Sequence, residues 1–511
     1  MYVHKTLLGI HIFASICIGN PVFAQSPLQS LGDTLSNATQ TVTIDSKLKP
    51  TQWRESLQAL QDKINSDFLK WRELEILARD TDLKTHGFLV IRNSYQLRSA
   101  LHDSFSILRH SASTEVSQLS RNLRYIEDIL AELFYDVPAI RLTEVEKIFK
   151  KDTKDIHTTP TPLLAAAPKH YLAFFKNLES NTILQSYYFI PGDILLTRGV
   201  SYLSSMIASL GSKKSQYSHV VFIANDEVPE SPLESIESYV GKGVIHWPIK
   251  QALEYENSRI LWLRPKDRDL GISAAHFMMG IVKVFEGMKK TIRYDYRLDF
   301  TNSTYLSCAE IAQYAYSEVS GKKVHLPQNE SYLDPKNDVV KLLKVRDHQT
   351  FSPGDLEYDD RFELLGEWRD LRLTHDSRIR DLVFEELFDW LETDSDFRKS
   401  FTSRGIPFVW LSRKTFFWPL VNKLFKVDFS KEVPARMLRT LYFVNKVGKH
   451  LTEKIWELED LHYVSRQLYL SPDEIRAALN QYKNQDLALY RSKKTRSQSI
   501  LYREYLKATP N

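Results

Sequence analysis

Cys308 has the most chemistry to offer in this chain, as one of only two cysteines in 511 residues. The other, Cys17, lies in an apolar stretch from Leu7 to Ile18 that follows a short leader carrying Lys5. That stretch ends at Asn20-Pro21-Val22-Phe23-Ala24, with apolar or small residues where a cut after Ala24 needs them. This is the pattern of a cleaved export signal, and it is too short to span a membrane. Ile16 is too large for a lipoprotein cleavage site, so no lipid anchor is expected, and the mature chain is expected in the periplasm or outside the cell. A single remaining thiol in an oxidising compartment has no internal disulfide partner. It is then either a small buried hydrophobe or a nucleophile. Its surroundings favour the nucleophile. Polar Thr301-Asn302-Ser303-Thr304 precede Tyr305-Leu306-Ser307-Cys308-Ala309-Glu310, Ile311, Ala312 and Ala315 then fall at helical spacing, and Gly321 closes the segment. The spacing predicts a helix that opens at Cys308, where free backbone N–H groups and the positive end of the helix dipole favour thiolate.

A thiol nucleophile needs a base. Of the 15 histidines, His4 and His11 fall in the leader, and His219 stands out among the rest. It opens the run His219-Val220-Val221-Phe222-Ile223-Ala224, bounded by Gly211 to Ser215 upstream and by Asn225-Asp226 downstream. β-Branched and aromatic residues between turn signals read as a buried strand, and a histidine at its mouth is held rigidly. The alternative is a hydrogen-bonded histidine at a strand end. Ser235-Ile236-Glu237-Ser238-Tyr239-Val240 reads as a second strand, and pairing it with the first brings Glu237 towards the His219 ring. A carboxylate there fixes the tautomer and stabilises the imidazolium. Glu234 and His246 are further candidates for that third role.

Taken together these pieces resemble the circularly permuted papain-like hydrolases of the YiiX/YaeF type, relatives of the NlpC cell-wall peptidases. The resemblance rests on Pro191-Gly192-Asp193 to Gly199, Tyr217-Ser218-His219-Val220, Ile236-Glu237-Ser238 with Gly241-Lys242-Gly243-Val244, Tyr294-Asp295-Tyr296 to Phe300, and Ser307-Cys308-Ala309-Glu310. It covers about Ile190 to Gly366, in the permuted order His, Glu, Cys. It implies Cys308 as nucleophile, His219 as base and Glu237 as orienting carboxylate. Tyr294, matching the family's upstream tyrosine, would polarise the carbonyl oxygen alongside the Cys308 backbone N–H. Ala309 departs from the serine more usual at that position. The implied fold class is α+β, a permuted papain-like core with an antiparallel sheet flanked by N- and C-terminal helical domains. The implied activity is amide hydrolysis, on peptidoglycan stem peptides or similar envelope amides. Lipid acyl hydrolysis or transfer is the alternative, and a non-catalytic envelope scaffold is another.

The elements that must position these residues divide the chain into a signal over 1–24, a helical domain over 25–184, the hydrolase domain over 185–366 and a C-terminal helical domain over 367–511. With 43% apolar residues the chain can bury a substantial core, and only 17 glycines favour helix over a turn-rich β architecture. Trp53, Leu57, Leu60, Ile64, Phe68, Trp71 and Leu74 recur at three or four, as do Leu119, Leu123, Ile126, Leu130 and Leu133 up to Pro138. These amphipathic helices should pack as a bundle. Asp152 to Pro168 reads as a connection. Helical pattern resumes from Phe362, with stripes at Val383, Phe384, Leu387, Phe388 and Leu391, and at Leu441, Val444, Val447, Leu451 and Ile455.

Net charge is +4 with 26% charged residues, a mixed surface that offers no case for nucleic acid. Aromatic and basic residues alternate from Ile406 to Lys423, which suits either a helical core or contact with a membrane surface. Arg491 to Arg496 reads as a solvated basic tail. No helix is expected to be long and apolar enough to cross a membrane. No metal motif, phosphate loop, dinucleotide fingerprint or serine-hydrolase elbow occurs, so no cofactor is expected and the chemistry falls to the thiol.

Overall fold

The computed structural model describes residues 25–44, 50–134, 170–174, 189–227, 231–254, 257–299, 303–328, 330–345, 349–393, 395–397 and 433–508. The leader with Cys17, the connection over 152–168 and the aromatic–basic segment over 406–423 lie outside them. The fold is mixed, with helices and an antiparallel sheet, so the α+β class holds.

Among the described residues four helices come first: α1 (Pro27–Ile44), α2 (Pro50–Arg72), α3 (Ile76–Asp103) and α4 (Phe105–Phe134). The residues that recur at helical spacing form the buried faces. Trp53, Leu57, Leu60, Ile64, Phe68 and Trp71 are buried on α2, and Leu119, Leu123, Ile126 and Leu130 on α4. Then follow β1 (His170–Phe174), β2 (Ile194–Gly199), α5 (Tyr202–Ser209), β3 (His219–Ala224), β4 (Glu234–Tyr239), β5 (Gly243–Pro248), α6 (Ile249–Glu254), β6 (Asn257–Pro265), α7 (Arg268–Gly287) and α8 (Cys308–Val319). Two short strands, β7 (Ser331–Tyr332) and β8 (Gln349–Thr350), flank α9 (Asp338–Leu343). The chain closes with β9 (Phe362–Asp370), α10 (Leu371–Thr393), β10 (Ser395–Phe397), α11 (Ala435–Arg466), α12 (Pro472–Arg491) and β11 (Leu506–Ala508).

Among the described residues seven strands form one sheet in the order β1-β9-β6-β2-β3-β4-β5, antiparallel throughout. Two expectations are corrected here. Phe362 opens a strand and not a helix, and α10 begins only at Leu371. The strand β1 lies within the segment read as helical and pairs with β9, with His170 opposite Asp370. The reason is visible on β9, where Glu367 and Arg369 are fully buried, so its inward face is partly charged and carries no apolar alternation to read.

One contiguous apolar cluster joins the N-terminal helices to the sheet. It runs from Leu31, Trp71, Leu101 and Leu119 through Tyr358 and Phe362 to Leu196, Val220, Phe222 and Leu261, and includes Ile311 and Ala312 of α8. A second holds the C-terminal helices through Phe384, Leu387, Val444, Val447 and Leu451, with Met206 of α5 and Leu343 of α9. Buried charge reinforces the joins. Arg259 of β6 stands opposite Arg369 of β9, a like-charge pair that costs stability unless compensated. Asp128 of α4 compensates it, accepting from Arg259 Nη2 at 2.6 Å and from Arg369 Nη1 at 2.7 Å. Glu367 gathers Arg98 at 2.8 Å, Arg259 at 3.2 Å, Arg124 at 3.3 Å and Arg369 at 3.1 Å.

Two further expectations change. At 20 residues, α7 is long and apolar enough to cross a membrane, contrary to the sequence reading. Its apolar character has a packing origin, because Gly271, Ala274, Ala275, Met278, Met279 and Val282 are buried, several within the cluster shared with the sheet and α8. The basic stretch from Arg491 is an exposed turn and not a tail, since the chain returns with buried Leu501 and Leu506 and pairs β11 with β10.

Candidate active site

The helix α8 opens at Cys308, as its residue spacing predicts. Ser307 is its N-cap, and Glu310 closes a capping box by accepting the Ser307 backbone N–H. These contacts fix the first turn and leave Cys308 at the positive end of the helix, only 5% exposed. The approach to that turn is tied to the sheet. Ser238 of β4 donates its hydroxyl to the Leu306 carbonyl at 2.7 Å, and the Leu306 N–H donates to the Arg293 carbonyl at 3.0 Å. One glycine is needed to bring the Tyr294 segment in. Gly243 has φ +81°, and a Cβ there would stand 2.2 Å from the Ile292 carbonyl oxygen, which accepts from Val244 N–H.

His219 opens β3. The β3–β4 pairing sets Phe222 against Ile236 and Ala224 against Glu234. Continued along the strands, that register places His219 across from Tyr239, with Glu237 two residues away on the same face. His219 Nε2 lies 2.8 Å from Glu237 Oε2, and the Cys308 thiol is near enough to the imidazole to act on its charge. The Tyr239 ring packs on the imidazole at 4.7 Å between centroids.

The electrostatics follow. Burial drives the His219 imidazole towards its neutral form, but the charges and hydrogen bonds of Cys308 and then Glu237 outweigh it, so its pKa is pushed up to about 10. Glu237 feels the same opposition. Burial favours its protonated form, while His219, Trp247 and Tyr239 hold the carboxyl below its ordinary value. Its two oxygens are fully engaged: Oε2 takes Tyr239 Oη–H at 2.7 Å besides the imidazole, and Oε1 takes Ser235 Oγ–H at 2.8 Å and the Trp247 indole N–H. Burial and the nearby Cys308 and Glu310 charges push the Tyr294 phenol well above its usual range, so it stays an O–H donor.

The structure thus brings Cys308, His219 and Glu237 to one cleft, with His219 bonded to Glu237 and Tyr294 lining the clefts beside Cys308. Glu234 and His246 stand apart and satisfy one another, His246 Nδ1 contacting Glu234 and Nε2 lying 3.0 Å from Glu286. Sequence reading missed Trp247, Tyr239 and Ser235 as the residues that hold Glu237. The alternation of β5 opposite β4, which pairs Ser235 with Trp247, was the available signal. It also missed the role of Glu310, although the Ser-x-x-Glu spacing of a capping box is written in Ser307 to Glu310.

Two clefts share Cys308, Tyr294, Leu203, Ile207 and Val240 in their walls. One also holds His219, Glu237, Ser201, Ser204, Ser218 and Asn257. The other is walled mainly by aliphatic side chains. Among the described residues no group of acidic, histidine and cysteine side chains is arranged to hold a metal ion. Chemically the arrangement offers a nucleophile at a helix start, a base–acid in contact with it and an anion behind the base. Compared with known proteins, the chain matches no family model, no curated protein and no solved structure.

Proposed function

We propose that the protein is an exported thiol hydrolase built on a permuted papain-like core, with Cys308, His219 and Glu237 as its triad. The observation that carries this reading is that His219 bonds Glu237 and shares one cleft with Cys308. His219 already holds the proton drawn from the thiol, and Cys308 Sγ attacks a substrate carbonyl. The tetrahedral oxyanion is held by the Cys308 N–H and the Tyr294 hydroxyl, and imidazolium then protonates the leaving group. Water, deprotonated by His219, releases the acyl group from sulfur and restores the thiol.

The resemblance to wall peptidases implies peptidoglycan stem peptides, or other amides of the envelope, as substrates. Transfer of an acyl group to sulfur serves a lipid amide or ester equally well, and the aliphatic cleft beside Cys308 favours that second substrate class. The reaction class is tested with an activated-acyl thiol probe, followed by mapping of the labelled residue. Rapid labelling of Cys308 that is lost in His219→Ala is the expected result. Labelling no faster than that of the unfolded chain removes the assignment.

A further inference from the structure

Packing accounts for one face of α7 and leaves a second apolar face exposed at its end. Gly271, Ala274, Ala275, Met278, Met279 and Val282 turn inward. Phe277, Ile281, Val284 and Met288 recur at three or four, which sets them on a separate line of the same helix. The inner end of that line is covered, since the Phe277 ring packs on Tyr314 of α8 at 5.8 Å between centroids. The outer end faces solvent: Val284 is 53% and Met288 60% exposed.

The chain then turns sharply and presents positive charge. Lys289 N–H donates to the Glu286 carbonyl at 2.8 Å and Lys290 N–H to the Phe285 carbonyl at 2.9 Å, the Schellman ending of a helix. Lys289 takes the left-handed position of that motif, with φ +54°, where glycine is the ordinary choice. A lysine therefore stands beside the exposed Met288 at some cost in stability. Lys290 and Arg293 are exposed as well, and no acidic residue lies between Met288 and Arg293. The turn between β4 and β5 adds the exposed Lys242, because the neighbouring Gly243 rests against Ile292 and Arg293. The exposed carboxylate of Glu286 is engaged by His246 Nε2 at 3.0 Å. We infer that this end of α7 is a docking face for an anionic membrane surface. Val284 and Met288 enter below the head groups, and Lys242, Lys289, Lys290 and Arg293 meet their phosphates. A soluble polyanion would satisfy the cations but leave both apolar side chains in water, so a lipid surface fits the whole patch. Docking there brings the cleft of Cys308 to the interface, since Tyr294 follows Arg293 and lines that cleft. The inference does not depend on the chemistry of the thiol.

The test floats the full chain with vesicles of phosphatidylcholine alone and of phosphatidylcholine containing one-third phosphatidylglycerol. Binding to the anionic vesicles that falls as salt rises is the expected result. Lys242→Gln and Lys290→Gln should each weaken it about fivefold, the worth of one basic residue near such a surface. Val284→Ser combined with Met288→Ser leaves the charge unchanged and should weaken it about tenfold. Lys289→Gly separates docking from folding. Glycine suits the left-handed position, so the urea midpoint should rise while vesicle binding falls about fivefold. Vesicle binding that none of these variants weakens puts the contact elsewhere and overturns the assignment. Equal binding of soluble dextran sulfate, with the serine pair silent, makes the face a polyanion site and overturns the membrane reading. Absence of binding to anionic vesicles at low salt overturns it as well.

Discussion

His219 Nε2 lies 2.8 Å from Glu237 Oε2, and that carboxylate has no spare capacity to swing away. Ser235, Tyr239 and Trp247 occupy its remaining lone pairs, so the imidazole is aimed by a group that is itself held at three other points. The anchoring is local: all three helpers sit on β4 or β5, within one pair of antiparallel strands. The orientation of the base is thus a property of the sheet and does not depend on substrate.

Substitutions should separate the three roles. Cys308→Ser and His219→Ala are expected to abolish turnover, whereas Glu237→Gln keeps an acceptor for the ring but loses the charge. A fall in kcat of roughly 10²- to 10⁴-fold is expected there, leaving measurable activity. His246→Ala should be close to silent, because its contacts are Glu234 and Glu286. Steady-state kinetics on one ester substrate checks all four. A severe His246→Ala with a silent Glu237→Gln would transfer the orienting role.

The pH profile should carry the mark of the same pair. Since the His219 pKa is pushed up to about 10, the imidazolium that protonates the leaving group persists across neutral pH. Activity should therefore decline on the alkaline side only as pH rises through about 10. Glu237→Gln removes an anion that favours the charged ring, so its alkaline limb should move to lower pH. The stability linked to this histidine has the same sign: complete below the unfolded value near 6.5, and lost as pH rises through the folded one. Measuring kcat/KM against pH for both proteins is decisive, and an unmoved limb in Glu237→Gln would detach that carboxylate from the base.

Much of this site was legible in the chain because its signals are local. Ser307 to Ala315 spells a helix start, and His219 to Ala224 and Ser235 to Tyr239 spell two strands whose pairing brings Glu237 to the ring. What was not legible depends on distant partners. The strand β9 hides because Glu367 and Arg369 occupy inward positions that a strand pattern expects to be apolar, and their compensating charges lie more than 200 residues earlier on α3 and α4. The aliphatic cavity hides for the same reason, since Met206, Leu343 and Met437 come from three separate helices.

Glu310 offers a titration that sequence alone does not suggest. Burial, then the Asp295 charge, pushes its carboxyl up to about 8, with Asp299 adding to the rise. The folded state therefore holds a proton there from about pH 4.5 to 8 that the unfolded state has released. Stability from this group is complete at the acid end and is lost as pH rises through 8, by up to about 1.4 kcal/mol per unit. Glu310→Gln keeps a side-chain acceptor for the Ser307 N–H and removes the titration. Urea unfolding at pH 5, 7 and 9 should show wild type losing stability relative to the variant as pH rises. Parallel profiles would mean that Glu310 is ionised throughout.

The last prediction concerns how the flanks are attached. Glu367 is wholly buried and lies against four arginines, Arg98 and Arg124 from the N-terminal helices and Arg259 and Arg369 from the sheet. Burial alone would favour its neutral form, but Arg369, Arg98, Arg124 and Arg259 together hold the carboxyl well below its ordinary value. Its contribution is present above the unfolded carboxylate range near 4.3 and is lost as pH falls through the folded value. Glu367→Gln leaves buried guanidinium charge without its counter-ion, which costs about 3–5 kcal/mol where such a pair is broken. Because the same carboxylate touches both the helices and the sheet, the loss should appear in one cooperative transition at lower urea. Far-UV circular dichroism and sheet tryptophan fluorescence, through Trp262 and Trp368, should report the same midpoint. A variant destabilised by less than 1 kcal/mol, or helices that melt apart from the sheet, would show that this buried network does not join them.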